Sequence, residues 1–309
     1  MKRLKLNTIA ILFLFSFTLN AQTVDIDKDT RIYAIKEGKE LRMDIYKSRS
    51  FGNEIQPCLI YVFGGGFKGG QRDSEHDLTY FNYFAEKGFT VVSIDYRLGM
   101  VGQKAPGLFN SKPIRNAIAM AVEDLYTATN FLLENHEELN IDPELFIISG
   151  SSAGAITVLH ADYEDRDNHS SAEVLPDSFN YAGVISFAGG IYSKEGLPSY
   201  DLNPAPTMFF HGSADKLVPY NKTRFFRLGM FGTNSLIKRF RNEQYPYVYY
   251  SMEGIGHEVS SYPMKDFLPE IEKFINDFVI NENQLMIDIN YRDLLRNPET
   301  IDTPGSYYN

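Results

Sequence analysis

Leu145-Phe146-Ile147-Ile148-Ser149 runs directly into Gly150-Ser151-Ser152-Ala153-Gly154, and the reading of these ten residues decides the fold. The apolar run is the pattern of a buried strand, and the G-x-S-x-G that follows centres a serine between two glycines. A strand that turns sharply into a helix at such a serine holds the residue in strained backbone dihedrals. A side chain two positions before or after it would then clash with the strand or the helix, so glycine is required at both places. Serine is also favoured at an ordinary helix N-cap. The stronger reading of Ser152 therefore depends on partners elsewhere in the chain.

Three further stretches supply them in order. Phe63-Gly64-Gly65-Gly66-Phe67 follows the strand-like Leu59-Ile60-Tyr61-Val62. Consecutive glycines let backbone N–H groups converge on one point, an arrangement suited to a developing oxyanion. Asp215 lies in His211-Gly212-Ser213-Ala214-Asp215-Lys216-Leu217-Val218-Pro219, after the strand Thr207-Met208-Phe209-Phe210. His257 lies in Gly254-Ile255-Gly256-His257, after Tyr247-Val248-Tyr249-Tyr250. A serine hydroxyl is a weak nucleophile without a base, which His257 supplies, and Asp215 would hold the imidazole in its productive tautomer. The N–H groups of Ala153, Gly65 and Gly66 are the expected oxyanion donors. The order Ser, Asp, His, with each residue at a strand end, implies acyl transfer to water through a covalent intermediate.

On these residues the chain resembles the α/β-hydrolase esterases of the hormone-sensitive-lipase and acetyl-esterase type. It looks closest to secreted bacterial carboxylesterases and xylan- or feruloyl-esterase-like proteins. The resemblance runs from about Leu41 to Ile280. It takes in the 64–67 loop, Val92-Ser93-Ile94-Asp95-Tyr96-Arg97-Leu98, Asp142-Pro143, the 150–154 turn and Asp215-Lys216-Leu217-Val218-Pro219. It implies short acyl or feruloyl esters on carbohydrate as substrates. The family usually carries His before the three glycines, where this chain has Phe63, at a position that supports the loop and does not react. A serine peptidase of the prolyl-oligopeptidase type uses the same triad and is the alternative, although it usually brings a large extra domain. A catalytically silent binding module is a third reading, disfavoured because the serine and the histidine are both intact.

Blander readings cover the other chemistry-bearing residues. Gly64-x-Gly66-x-x-Gly69 also fits a dinucleotide fingerprint, but those glycines should open directly into a helix. Lys68–Asp73 reads as loop, the first helical pattern begins near Leu78, and Asp95 is expected to be structural with Arg97 as its partner. Asp201 and Glu195 are weaker alternatives to Asp215. His136, His160 and His169 read as surface or packing residues, and His76 and His211 are placed near the mouth of the site. With no H-E-x-x-H, no paired cysteines and no phosphate loop, no metal or nucleotide cofactor is expected.

Eight strands are expected: 31–36, 41–46, 58–62, 90–95, 145–149, 181–187, 207–211 and 247–252. They form a mostly parallel α/β sheet with helices on both faces, because strand and helix patterns alternate. Over Ile114–Glu134 the residues Ile114, Ile118, Ala121, Leu125 and Leu132 share one helical face. A last helix is expected over Tyr262–Ile280. Only 19 residues, Ala188–Pro206, separate two of the strands, which leaves no room for a large helical cap. An open cleft rimmed by Met100–Pro113 and Asp162–Asn180 is expected instead. The division is 1–21 signal, 22–280 catalytic domain and 281–309 extension. The extension reads as a surface-wrapping or disordered tail with a short helix near Tyr291–Arg296.

The amino terminus reads as an export signal, with Lys2, Arg3 and Lys5 ahead of Ile9–Phe15 and Leu19-Asn20-Ala21 at the cleavage site. An apolar run this short does not span a bilayer comfortably. Cys58 is the single cysteine, so an intramolecular disulfide is impossible, and an exported chain of that kind suits a bacterium. The net charge is −10, and removing 1–21, with three basic and no acidic residues, makes it −13. Such acidity disfavours nucleic acid and anionic membranes as partners. The expected partner is a small-molecule or polysaccharide-borne ester, with no stable membrane insertion after cleavage. Amino-terminal sequencing of the exported protein is expected to start at Gln22, and a product still carrying Met1 would refute the export reading.

Overall fold

The computed structural model describes residues 25–107, 110–167, 169–296 and 302–308. The signal reading of 1–21 and Pro298 lie outside them. A nine-stranded sheet organises the chain. In chain order its strands are β1 (Ile26–Lys36), β2 (Lys39–Ser48), β3 (Gln56–Val62), β4 (Thr90–Ile94), β5 (Ile141–Ser151), β6 (Gly183–Phe187), β8 (Thr207–Gly212), β11 (Tyr247–Met252) and β12 (Met286–Tyr291). The spatial order is β1-β2-β4-β3-β5-β6-β8-β11-β12. β1 and β2 pair antiparallel, β2 pairs antiparallel with β4, and every later pairing is parallel.

Burial explains the composition of the central strands. Leu59, Ile60, Val62, Val91, Val92, Ile147 and Ile148 are fully buried, so successive residues on both faces of the sheet must be apolar. Helices provide the cover. α1 (Leu78–Glu86) packs with α6 (Pro263–Asp266) and α7 (Leu268–Phe274) on one side. α2 (Lys112–Glu134), followed by the single turn α3 (His136–Leu139), packs on α4 (Ala153–Arg166), and α5 (Thr233–Glu243) packs on β8 and β11. The face foreseen for α2 is the one that is buried: Ile114, Ile118, Ala121, Leu125 and Leu132 are all inside.

Parallel register brings the carboxyl ends of five strands, β3, β5, β6, β8 and β11, to one edge. Val62 pairs with Gly150, Ser151 with Phe187, Phe187 with Phe210, and Met252 with Gly212. The loops that leave these ends carry the glycine run, the serine, the aspartate and the histidine.

Several features depart from the sequence expectation. The sheet has nine strands instead of eight, because the 281–309 extension contributes β12 as an edge strand parallel to β11. Asp288 on β12 accepts a hydrogen bond from Tyr247 at 2.9 Å and pairs with Arg241 at 2.9 Å, which fixes the added strand. Tyr291 closes that strand and does not open a helix. The expected 262–280 helix is broken at Phe267 and continues from Ile275 to Ile280 with wider π-type turns. A second, three-stranded antiparallel sheet of β7 (Gly190–Ser193), β9 (Lys222–Phe225) and β10 (Leu228–Gly232) stands beside the main one, in the order β7-β10-β9. Its strands are four or five residues long and alternate weakly, which hid them in the sequence.

Among the described residues no large cap covers the strand ends. No helix among the described residues is long and apolar enough to cross a membrane. Because Leu125 is fully buried on α2 while Asn116 faces outward, Leu125→Ala should cost about 2–5 kcal/mol in denaturant unfolding. Asn116→Ala should stay within about 0.5 kcal/mol. Equal costs would mean that α2 does not pack as described.

Candidate active site

The serine turn is as tight as its glycines suggest. Ser152 has φ 50° and ψ −110°, a conformation that L-residues avoid, and its N–H donates to the carbonyl of Phe187 at 2.9 Å. A Cβ on Gly150 would lie 2.3 Å from the Gly154 carbonyl oxygen, and one on Gly154 only 1.9 Å from the Val62 carbonyl oxygen. α4 therefore starts directly against β3, and the Ser152 hydroxyl stands at the sheet edge, nearly buried yet bordering a cavity.

Ser152 Oγ is 2.8 Å from His257 Nε2, and His257 Nδ1 is 2.8 Å from Asp215 Oδ2. The structure thus brings together the serine, histidine and aspartate singled out in the sequence, although 105 and 42 residues separate the hydrogen-bonded pairs. The loops carrying the last two are stitched to each other. Ser213 N–H donates to Met252 O at 2.9 Å, Ala214 N–H to Ile255 O at 2.9 Å, and Gly254 N–H to Ser213 Oγ at 2.9 Å.

The surroundings of Asp215 favour its ionised form. Its Oδ1 accepts the N–H groups of Leu217 at 2.9 Å and Val218 at 3.0 Å. Burial by itself would raise the carboxyl, but contacts with His211 and His257 outweigh it and hold the group well below the usual carboxylate range. His211 is the residue that sequence reasoning misplaced. It lies fully buried behind the aspartate, its Nε2 3.4 Å from Asp215 Oδ2 and its Nδ1 2.8 Å from Thr233 Oγ1, and not at the mouth of the site. The signal was available, since His211 ends the apolar strand β8, which is buried along its whole length. His76, by contrast, does line the cleft.

Gly64 and Gly65 border the cavity on the histidine side of Ser152, and Gly66 and Ala153 border it on the other. Phe63 supports this loop from below. Its ring stacks on Tyr96 with centroids 4.4 Å apart, and the Tyr96 hydroxyl donates to its carbonyl at 3.0 Å. The far end of the loop is anchored by Arg72, which reaches Asp95 at 2.9 Å and Asp44 at 3.2 Å. This corrects the expected partner of Asp95. Arg97 turns away to the buried Asp124, with its Nε 3.0 Å from each carboxylate oxygen. The glycines lead into turns until α1 begins at Leu78, so the dinucleotide geometry is absent.

Two compartments meet at Ser152. One, of about 270 Å³, is walled by apolar groups including Ile114, Ile156, Val218 and Met230. The other, of about 550 Å³, carries Ser74, His76, Asp77, Ser260 and Ser261. Pro106, Gly107 and Ser111 bring the expected 100–113 rim to the apolar compartment, whereas no residue of 162–180 borders either one. No cluster of metal-ligating side chains occurs among the described residues.

A sheet with this order, a serine on a strained strand-to-helix turn, and an acid and a histidine on later strand ends settle the architecture. The chain has the α/β-hydrolase fold. The apo form of Thermogutta terrifontis esterase 2 superposes on it with a TM-score of 0.58, covering 84% of this chain and 96% of that one at 20% identity. The BD-FAE family model matches residues 43–191 of this chain. Fumonisin B1 esterase of Sphingopyxis macrogoltabida is 31% identical over 118 residues, which is 37% of this chain and 21% of that protein. Esterase B1 of Culex pipiens is 28% identical over 159 residues, 50% of this chain and 27% of its own. The chain thus spans only about a quarter of the length of these curated relatives.

The ionised Asp215 should leave a mark on stability. A carboxylate held low in the folded state stabilises at pH values above its unfolded value of about 4, and that contribution is lost as the pH falls below it. The difference in unfolding free energy between wild type and Asp215→Asn should therefore be largest near neutrality and shrink below about pH 4. A gap that stays constant from pH 6 to pH 3 would mean that the carboxylate is not held in this way.

Proposed function

We propose that this chain is a serine carboxylic ester hydrolase working through an acyl-enzyme, with Ser152 as nucleophile, His257 as general base and acid, and Asp215 as the residue that orients it. The observation that carries the reading is the unbroken chain of 2.8 Å contacts from Ser152 Oγ through His257 to Asp215. Ser152 Oγ attacks the ester carbonyl carbon and gives its proton to His257 Nε2. The oxygen of the tetrahedral intermediate takes the negative charge, facing the N–H groups of Gly65, Gly66 and Ala153. His257 passes its proton to the departing alcohol as the C–O bond breaks. Water, deprotonated by the same imidazole, then releases the acid and restores the serine.

Esters carried on carbohydrate, acetyl or feruloyl, are the proposed substrates. The likeness to the BD-FAE family supports this. So does the division of the cleft into an apolar compartment that suits the acyl group and a polar one that suits a hydroxyl-rich alcohol. The acidic surface and the signal-like amino terminus favour an exported enzyme meeting a neutral polymer.

Release of p-nitrophenol from acetate, butyrate and octanoate esters tests the chemistry. Wild type should turn over the short esters and be labelled by a fluorophosphonate probe. Ser152→Ala should lose both the labelling and at least about 10³-fold in kcat, since removing a triad member leaves only oxyanion and binding contributions. Acetylated and feruloylated xylan test the substrate class. Hydrolysis of a proline anilide with no ester turnover would favour the peptidase instead.

A further inference from the structure

The extension returns to the cleft in a way the mechanism above does not use. Residues Pro304–Tyr308 form a single helical turn, α8, held by Thr303 O accepting from Tyr307 N–H at 2.9 Å and Thr303 N–H donating to Ser306 Oγ at 2.9 Å. This turn lies on the glycine loop. The Tyr308 hydroxyl donates to the Gly66 carbonyl at 2.8 Å. Lys68 Nζ donates to the carbonyls of Tyr307 at 3.2 Å and Tyr308 at 3.4 Å. The same ammonium stands 5.6 Å and 5.4 Å from the two ring centroids, within cation–π range. The rings contact each other edge to face at 5.2 Å.

Contact is close enough to constrain the loop itself. Gly66 has φ 61°, and a Cβ there would come within 2.6 Å of the Tyr307 ring and 2.8 Å of the Tyr308 hydroxyl. Glycine at 66 is thus needed for the approach of the two tyrosines as well as for its backbone conformation. Tyr307 borders both compartments, whereas Tyr308 borders the apolar one alone. Ser152 likewise borders both compartments, and Ile114, Ile156 and Met230 share the lining of the apolar one with the two tyrosines.

We propose that Tyr307 and Tyr308 are specificity-determining residues, forming part of the wall of the acyl compartment and limiting the acyl length the enzyme accepts. This rests on the ester-hydrolase reading above. The physical argument is volume. A compartment of about 270 Å³ that counts two tyrosine rings among its walls accepts a short acyl group or one planar ring. Truncating either ring opens it toward solvent along the glycine loop. Lys68 and the Gly66 carbonyl fix where the wall stands.

The test compares kcat/KM for p-nitrophenyl acetate, butyrate and octanoate in wild type, Tyr307→Ala, Tyr308→Ala and Tyr307→Trp, with melting temperatures recorded for each. The octanoate-to-acetate ratio should rise by about tenfold or more in the alanine variants, in the range that a few methylene contacts command. Tyr307→Trp should move the ratio the other way. Tyr308→Phe, which keeps the ring but loses the hydroxyl bond to Gly66, should move the ratio less than Tyr308→Ala. An unchanged ratio in folded, active variants overturns the proposal. So does an equal gain on all three esters, which would make α8 a plug over the site and not a wall within it. Failure of the ester-hydrolase reading is distinguishable, since wild type would then be inactive on acetate whatever its tail. If the alanine variants do not fold, the tryptophan variant decides.

Discussion

The contact between α4 and β3 at Gly154 is the constraint on which the rest of this molecule depends. A helix packed so tightly that a Cβ on Gly154 would lie 1.9 Å from the Val62 carbonyl oxygen, immediately after a strand, leaves the residue before it no relaxed conformation, and Ser152 takes φ 50° as a result. Such strain persists only where the surroundings over-determine it. Here they do. β5 is buried between β3 and β6 in the middle of the sheet, α4 is buried along most of its length, and the Ser152 N–H is tied to Phe187. The hydroxyl is thereby aimed out of the sheet edge with few alternative positions open to it.

From that fixed point the parallel register does the positioning. Strands β8 and β11 end level with each other, Gly212 opposite Met252, and the loops beyond them share backbone hydrogen bonds. Asp215 and His257 are thus carried by one stitched unit and not by two independent loops. The electrostatics follow from the same geometry. A carboxylate buried without partners would protonate, whereas this one faces two imidazoles and two backbone N–H groups. His211 matters for that reason even though it touches no reacting atom.

The glycine loop is held at its start by an apolar contact, the stacking of Phe63 on Tyr96. The loop is held at its other end by the ion pairs of Arg72 and, above, by the tyrosines of α8. Three unlike interactions therefore hold one short loop, each contributed by a different part of the chain.

Much of this was legible from residue patterns because it depends on local periodicity and on glycine. The α2 face, the buried central strands, the serine turn and the positions of the serine, aspartate and histidine that meet there all follow from spacing along the chain and from the ends of apolar runs. What could not be read were interactions between segments with no pattern linking them. Arg72, and not Arg97, meets Asp95, because the path of the glycine loop sets the distance. His211 turns inward because β8 is buried on both faces. In the extension Ile287, Ile289 and Tyr291 alternate with Asp288 and Asn290 over only a few residues, a pattern that names no partner, yet β12 finds the free edge of β11 and α8 settles over Gly66. Those placements come from unpaired strand-edge groups and from ring-to-backbone contacts, whose energies exist only once the sheet has assembled.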